Sequence, residues 1–95
     1  MTSKQRAALR GMANQMEAIL QVGKAGIGEQ LLRQVDDALT ARELIKMSVQ
    51  ENCPLTARET CRALAQALGA EEVQVIGRRF VLYRRNPKNP QIQLG

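Results

Sequence analysis

Ninety-five residues suffice for one domain with a modest core, expected to span residues 1 to 95. A net charge of +5, from 14 basic and 9 acidic residues, favours a phosphate-bearing partner. Histidine is absent, and Cys53 and Cys61 are not spaced as metal ligands, which argues against a zinc site or a Cys/His nucleophile. No stretch approaches the roughly 18 apolar residues of a membrane span, and the opening MTSKQRAALR lacks the apolar core of a signal peptide. The expectation is a cytoplasmic protein with no cofactor, no small-molecule substrate and no membrane contact, monomeric by default.

Thr2-Ser3-Lys4-Gln5 fits a capping box, and Ala8, Leu9, Met12 and Ala13 then share one face of a helix running to about residue 14. Arg6 and Arg10, one turn apart, project from a neighbouring face. Residues 17 to 22, EAILQV, read as a strand. A glycine-rich loop follows, then a helix from about Gly28 or Glu29 to Ala41 that points Leu31, Leu32, Val35 and Leu39 inward and Asp36 and Asp37 outward. ELIKMSVQ, residues 43 to 50, alternates Leu44, Lys46, Ser48 and Gln50 against Ile45, Met47 and Val49, the pattern of a strand with one apolar face. A second capping box, Thr56 to Glu59, opens a helix that ends at Gly69 and buries Ala57, Cys61, Leu64, Ala65 and Leu68. VQVIG and RFVLYRR form two strands joined at Gly77-Arg78, where glycine in the first turn position suits a type II′ hairpin. NPKNPQIQLG, residues 86 to 95, reads as an extended tail in which Ile92 and Leu94 alternate and can dock on the sheet.

The order α-β-α-β-α-β-β implies an α/β (α+β) two-layer sandwich on a four-stranded mixed sheet. Helical crossovers favour parallel strands, and the closing hairpin forces an antiparallel one.

The loop QVGKAGIGE lies between an apolar run and a helix N-terminus, a place where anions bind. It is no Walker loop, since Lys24 follows the first glycine and no Ser or Thr stands at the magnesium position. Its G-x-x-G-x-G spacing is the reverse of the dinucleotide fingerprint. What remains is the core GKAG, Gly23-Lys24-Ala25-Gly26, a G-x-x-G loop of the kind that clamps a nucleic-acid backbone in KH modules. Charge is distributed to match: residues 1 to 28 carry +3, residues 73 to 95 carry +5, and the middle carries −3. If the two basic ends meet beside the loop, Arg6, Arg10, Arg78, Arg79, Arg84 and Arg85 extend a phosphate-binding face. Phe80 and Tyr83 fall on opposite faces of one strand, so clustered base stacking of the RRM type is not expected, and structured RNA read by shape is.

TSKQRAALRGMA, QVGKAGIGEQLLRQVDDAL, ARELIKMSV and VQVIGRRFVLYRR, in this order and spacing, closely resemble the CRM-domain family in its bacterial single-domain, YhbY-like form. The resemblance implies a fold similar to the C-terminal domain of a bacterial translation initiation factor and to KH-like modules. It also implies RNA binding in which the G-x-x-G loop takes part, and association with precursors of the large ribosomal subunit. Ala25 stands where many members carry a basic residue, which shifts the electrostatic burden onto Arg6, Arg10 and the hairpin arginines. An enzyme lacks support, because no paired carboxylates or metal cluster appear at a site. A protein-protein adaptor docking on ribosomal precursors, without direct RNA recognition, is the alternative from another class.

Overall fold

A computed structural model describes residues 1–94; Gly95, the last residue of the expected tail, lies outside the described residues. The elements are α1 (Ser3–Ala13), β1 (Leu20–Val22), α2 (Glu29–Arg42), β2 (Leu44–Val49), α3 (Ala57–Leu68), β3 (Glu71–Ile76) and β4 (Arg79–Tyr83). Both capping boxes form. The Thr2 and Thr56 hydroxyls accept from the N–H groups of Gln5 and Glu59, whose side chains accept in return from the Thr2 and Thr56 N–H groups. Each closes two helix-end donors that would otherwise be orphaned.

The four strands form one mixed sheet in the order β1-β2-β4-β3. β1 runs parallel to β2, while β4 is antiparallel to both neighbours. The crossover through α3 therefore carries the chain past one strand position, and β4 returns to fill the gap. Gly77 supplies the positive φ of 58° that the hairpin turn requires, and Arg78 after it is not in the left-handed region.

Two apolar clusters lie on opposite faces of the sheet. One joins Val35 and Leu39 of α2 and Ala57, Cys61, Leu64 and Ala65 of α3 to Val22, Ile45, Met47, Val49, Phe80 and Leu82. The other joins Leu9 and Ala13 of α1 to Leu44, Val73, Val81 and Tyr83, with Met16, Ile92 and Leu94 packed against it. Helices α2 and α3 thus make the second layer, and α1 with the tail makes a partial third. Phe80 and Tyr83 are on opposite faces, as their spacing requires.

The first strand is shorter than the expected 17 to 22. Its register against β2 runs only from Leu20 opposite Met47 to Val22 opposite Val49. Residues after α1 are still turning: the N–H groups of Gln15 and Met16 donate to the carbonyls of Met12 and Ala13. On α1 the buried face is narrower than the shared face of Ala8, Leu9, Met12 and Ala13 suggests. Leu9 and Ala13 are fully buried, but Ala8 and Met12 face solvent, because a short helix lying across a sheet touches it along one stripe.

A sharper departure concerns Glu43, read as the first residue of a strand. It is fully buried and sits at φ 65°, ψ −48°, a strained conformation for a side chain with a Cβ. Its carboxylate accepts from the N–H groups of Asn86 (2.7 Å), Gln91 (2.6 Å) and Ile92 (2.7 Å), pinning the tail. Burial pushes this carboxyl up, but the three N–H groups, helped by Arg85, outweigh it and hold it below its ordinary value.

Candidate nucleic-acid interface

β1, β2 and β3 all end at the same edge of the sheet, where β4 begins: Val22 lies opposite Val49, and Arg79 lies opposite both Ser48 and Ile76. Three connections therefore converge there, residues 23–28, residues 50–56 and the Gly77-Arg78 turn. The space beyond the carboxyl ends of strands is where open α/β sheets bind ligands.

Gly23 to Gly26 form a turn closed by a hydrogen bond from Gly26 N–H to the Gly23 carbonyl at 3.0 Å. Lys24 and Ala25 are its exposed corners. Each flanking glycine has a reason within the chain. Gly26 takes φ 67°, and a Cβ on it would also meet Pro54 Cγ at 3.3 Å. A Cβ on Gly23 would meet Gln50 Oε1 at 2.7 Å, while Gln50 Nε2 donates to Gln21 Oε1 at 2.8 Å. The glycines thus shape the turn against the 50–56 loop. Helix α2 starts immediately after it at an N-cap, Gly28, that supplies no side-chain hydrogen bond. Its first N–H groups are left to an outside acceptor, in contrast to the capped ends of α1 and α3.

Arg78 reaches the same loop from the other side, 3.8 Å from Glu51, with both side chains largely exposed. A pair this exposed contributes less than about 1 kcal/mol, so a phosphate can displace it. Arg79, next to it, is exposed and has no partner among the described residues. Lys46 lies one step further down the sheet and donates to the Met16 carbonyl at 2.9 Å. Arg6, Arg10 and Asn14 form a single i, i+4 stripe along α1, and Asn14 lines the same depression as Arg78 and Arg79. Arg10 is exposed, while Arg6 is half-buried with Nε donating to the Glu72 carbonyl at 3.2 Å. The C-terminal end of α1 thus reaches the hairpin arginines through the neutral Asn14, whereas Arg6, bonded to Glu72 opposite Leu82, lies toward the far end of the sheet.

Arg84 and Arg85 are corrections. β4 carries them to the opposite end of the sheet, past Tyr83, which lies opposite Leu44 and Glu71. The Arg84 guanidinium is also taken up internally. It donates to Asp36 Oδ1 (2.7 Å), the Asp36 carbonyl (3.0 Å), Thr40 Oγ1 (2.9 Å) and the Leu68 carbonyl (3.0 Å), tying α2 to the end of α3. Asp36, read as a solvated helix position, is the partner that fixes it. Arg85 is exposed beside the tail, away from the glycine turn. Asp36 and Glu43 were missed because their partners are distant in sequence; nothing in a local window marks either.

No group of three or more His, Cys, Asp or Glu side chains among the described residues could hold a metal ion. Cys61 is buried against α3's neighbours, and burial, reinforced by Glu72 against a smaller opposing effect of Arg58, pushes its thiol up to about 12. It is a packing residue.

Residues 1–84 match one family model, the CRS1/YhbY (CRM) domain. The chain belongs to this family. Among CRM-domain relatives, "Probable RNA-binding protein YqeI" of Bacillus subtilis is 40% identical over 94 residues, covering 99% of this chain and 98% of the relative. An RNA-binding protein of Haemophilus influenzae is 32% identical, covering 99% and 94%. The solution structure of SAV1595 from Staphylococcus aureus, 41% identical, superposes with a TM-score of 0.82 over 100% of this chain and 99% of that one. The CRM assignment and the α-β-α-β-α-β-β fold read from the residues are thereby established.

Proposed function

We propose that this protein binds structured RNA at the end of the sheet formed by the Gly23–Gly26 turn, the N-terminus of α2 and the Arg78–Arg79 hairpin. The observation that carries the reading is the meeting there of an exposed lysine turn, an uncapped helix N-terminus and two exposed arginines, three ways of meeting a phosphate. Lys24 and Ala25 present the backbone N–H groups and charge of the turn, Arg78 and Arg79 take neighbouring phosphates, and Arg10 and Arg6 continue the track along α1. The names of the relatives support RNA as the partner, and the family resemblance supports precursors of the large ribosomal subunit as its source. The protein acts as a monomeric cytoplasmic assembly factor without catalysis.

Binding to large-subunit ribosomal RNA fragments over a salt series tests this. Lys24, Arg78 and Arg79 on phosphates contribute about −3 to the slope of log K against log salt, and Arg78→Ala with Arg79→Ala lowers its magnitude by about 2. Intact binding in that double variant with loss of association with precursor particles would instead make the protein an adaptor.

A further inference from the structure

Helix α1 ends at Ala13, too short to cover its face of the sheet. Leu9 and Ala13 close the lower half, over Leu44, Val73, Val81 and Tyr83. The strand register then leaves one row open above it: Gln21 on β1, Ser48 on β2, Arg79 on β4 and Ile76 on β3, side by side on the same face. Ile76 is 62% exposed, well above any other large apolar side chain among the described residues.

A depression of about 340 Å³ opens at the β3 side of this row, lined by Asn14, Lys46, Gln74, Ile76, Arg78, Arg79 and the β4 residues Phe80 and Val81. Its lining holds three cations and no carboxylate; Glu51, outside the lining, pairs with Arg78 at 3.8 Å, and Glu17 lines the adjoining hollow on the β1 side. The Asn14 and Gln74 side-chain amides have no protein partner among the described residues, and each offers both a donor and an acceptor. An apolar floor, free amides and flanking guanidinium groups are the requirements of an unstacked base: a surface to lie on, hydrogen-bonding partners for its edge, and cations for the phosphates on either side.

We propose that this depression takes one unpaired base of an RNA, seated against Ile76, with its edge read by Gln74 and Asn14 and its flanking phosphates met by Arg78 and Arg79. An acidic peptide would meet the cations, and its backbone the amides, but its carboxylate side chains have no planar apolar face to lie on Ile76. The proposal rests on the RNA-binding reading above and deepens it: the backbone track supplies affinity, and this site makes the protein prefer a duplex carrying a bulged or looped-out nucleotide.

The test measures binding of two short RNA duplexes of identical sequence, one with a single extra unpaired 4-thiouridine. Wild type should prefer the bulged duplex by about tenfold, the return from burying one apolar side chain against a base. Ile76→Ser, at an exposed position, should bring the ratio to about one without changing affinity for the paired duplex, and photo-crosslinks from the bulge should map to residues 74–81. Equal affinity for the two duplexes, an unchanged ratio in Ile76→Ser, or crosslinks confined to residues 23–26 would overturn the base site while RNA binding stands. Failure to bind either duplex at low salt would overturn both, as would an acidic peptide, and no RNA, shifting the Ile76 methyl resonances.

Discussion

Replacing Arg84 by alanine removes four hydrogen bonds in one step, two of them to the Asp36 carboxylate and the Leu68 carbonyl at the exposed end of α3. The ion pair is 2.7 Å long with side chains 22% and 50% exposed, so its own share is at most about 1 kcal/mol. The hydrogen bonds to the Thr40 hydroxyl and two carbonyls add roughly 1 kcal/mol more, because water can reach those acceptors once the arginine is gone. The total, about 2 kcal/mol, corresponds to a fall in Tm of about 8–16 °C for a domain of this size. Arg84→Lys should recover little of this, since one ammonium cannot span both helices as the planar fork does. Arg79→Ala, at an exposed residue without a partner, should cost under about 0.5 kcal/mol. Thermal unfolding followed by circular dichroism, paired with RNA binding well below Tm, separates the two arginines: Arg84→Ala loses stability and keeps affinity, while Arg79→Ala does the reverse. An Arg84→Ala protein that melts within about 3 °C of wild type and binds RNA as poorly as Arg79→Ala would refute the reasoning.

At the glycine turn, Lys24→Glu should weaken RNA binding and flatten its salt dependence with no change in Tm, because Lys24 is an exposed corner; Gly26→Asp is a poorer probe, since it is strained at φ 67° whatever its effect on RNA. Native protein treated with a thiol reagent at neutral pH should modify only Cys53, which is half-buried, and should reach two thiols only after unfolding, because Cys61 is buried with its thiol pushed up to about 12. Glu43 is lowered on folding, so its contribution is fully present above the ordinary carboxylate value of 4.5 and is lost as the pH falls below it; wild type should therefore release the 86–94 tail in acid, seen as exchange broadening of the Asn86 and Ile92 amides. Glu43→Gln should show a loosened tail already at neutral pH and little further change in acid.

Much of the fold could be read from short windows. The capping boxes at Thr2 and Thr56, the helix stop at Gly69, the alternation of residues 44–49 and the Gly77 turn are all decided by groups within a few residues of one another, and each formed as expected. The same local logic marked Gly23–Gly26 and Lys24 as a place apart. It failed where burial depends on what lies overhead. Ala8 and Met12 carry the right periodicity but meet solvent, and Ile76 looked like an ordinary strand residue until α1 proved too short to cover it.

The sequence by itself determined the kinds of elements, their order and the basic character of both ends, because those follow from propensity, periodicity and composition. Only the tertiary structure decided which cations share a surface. Insertion of β4 between β2 and β3 puts Arg78 and Arg79 at the glycine-turn end and carries Arg84 and Arg85 to the other end, although all four lie in one hairpin. The partner that removes Arg84 from solvent, Asp36, is 48 residues away, and no local pattern encodes a hydrogen bond across that separation.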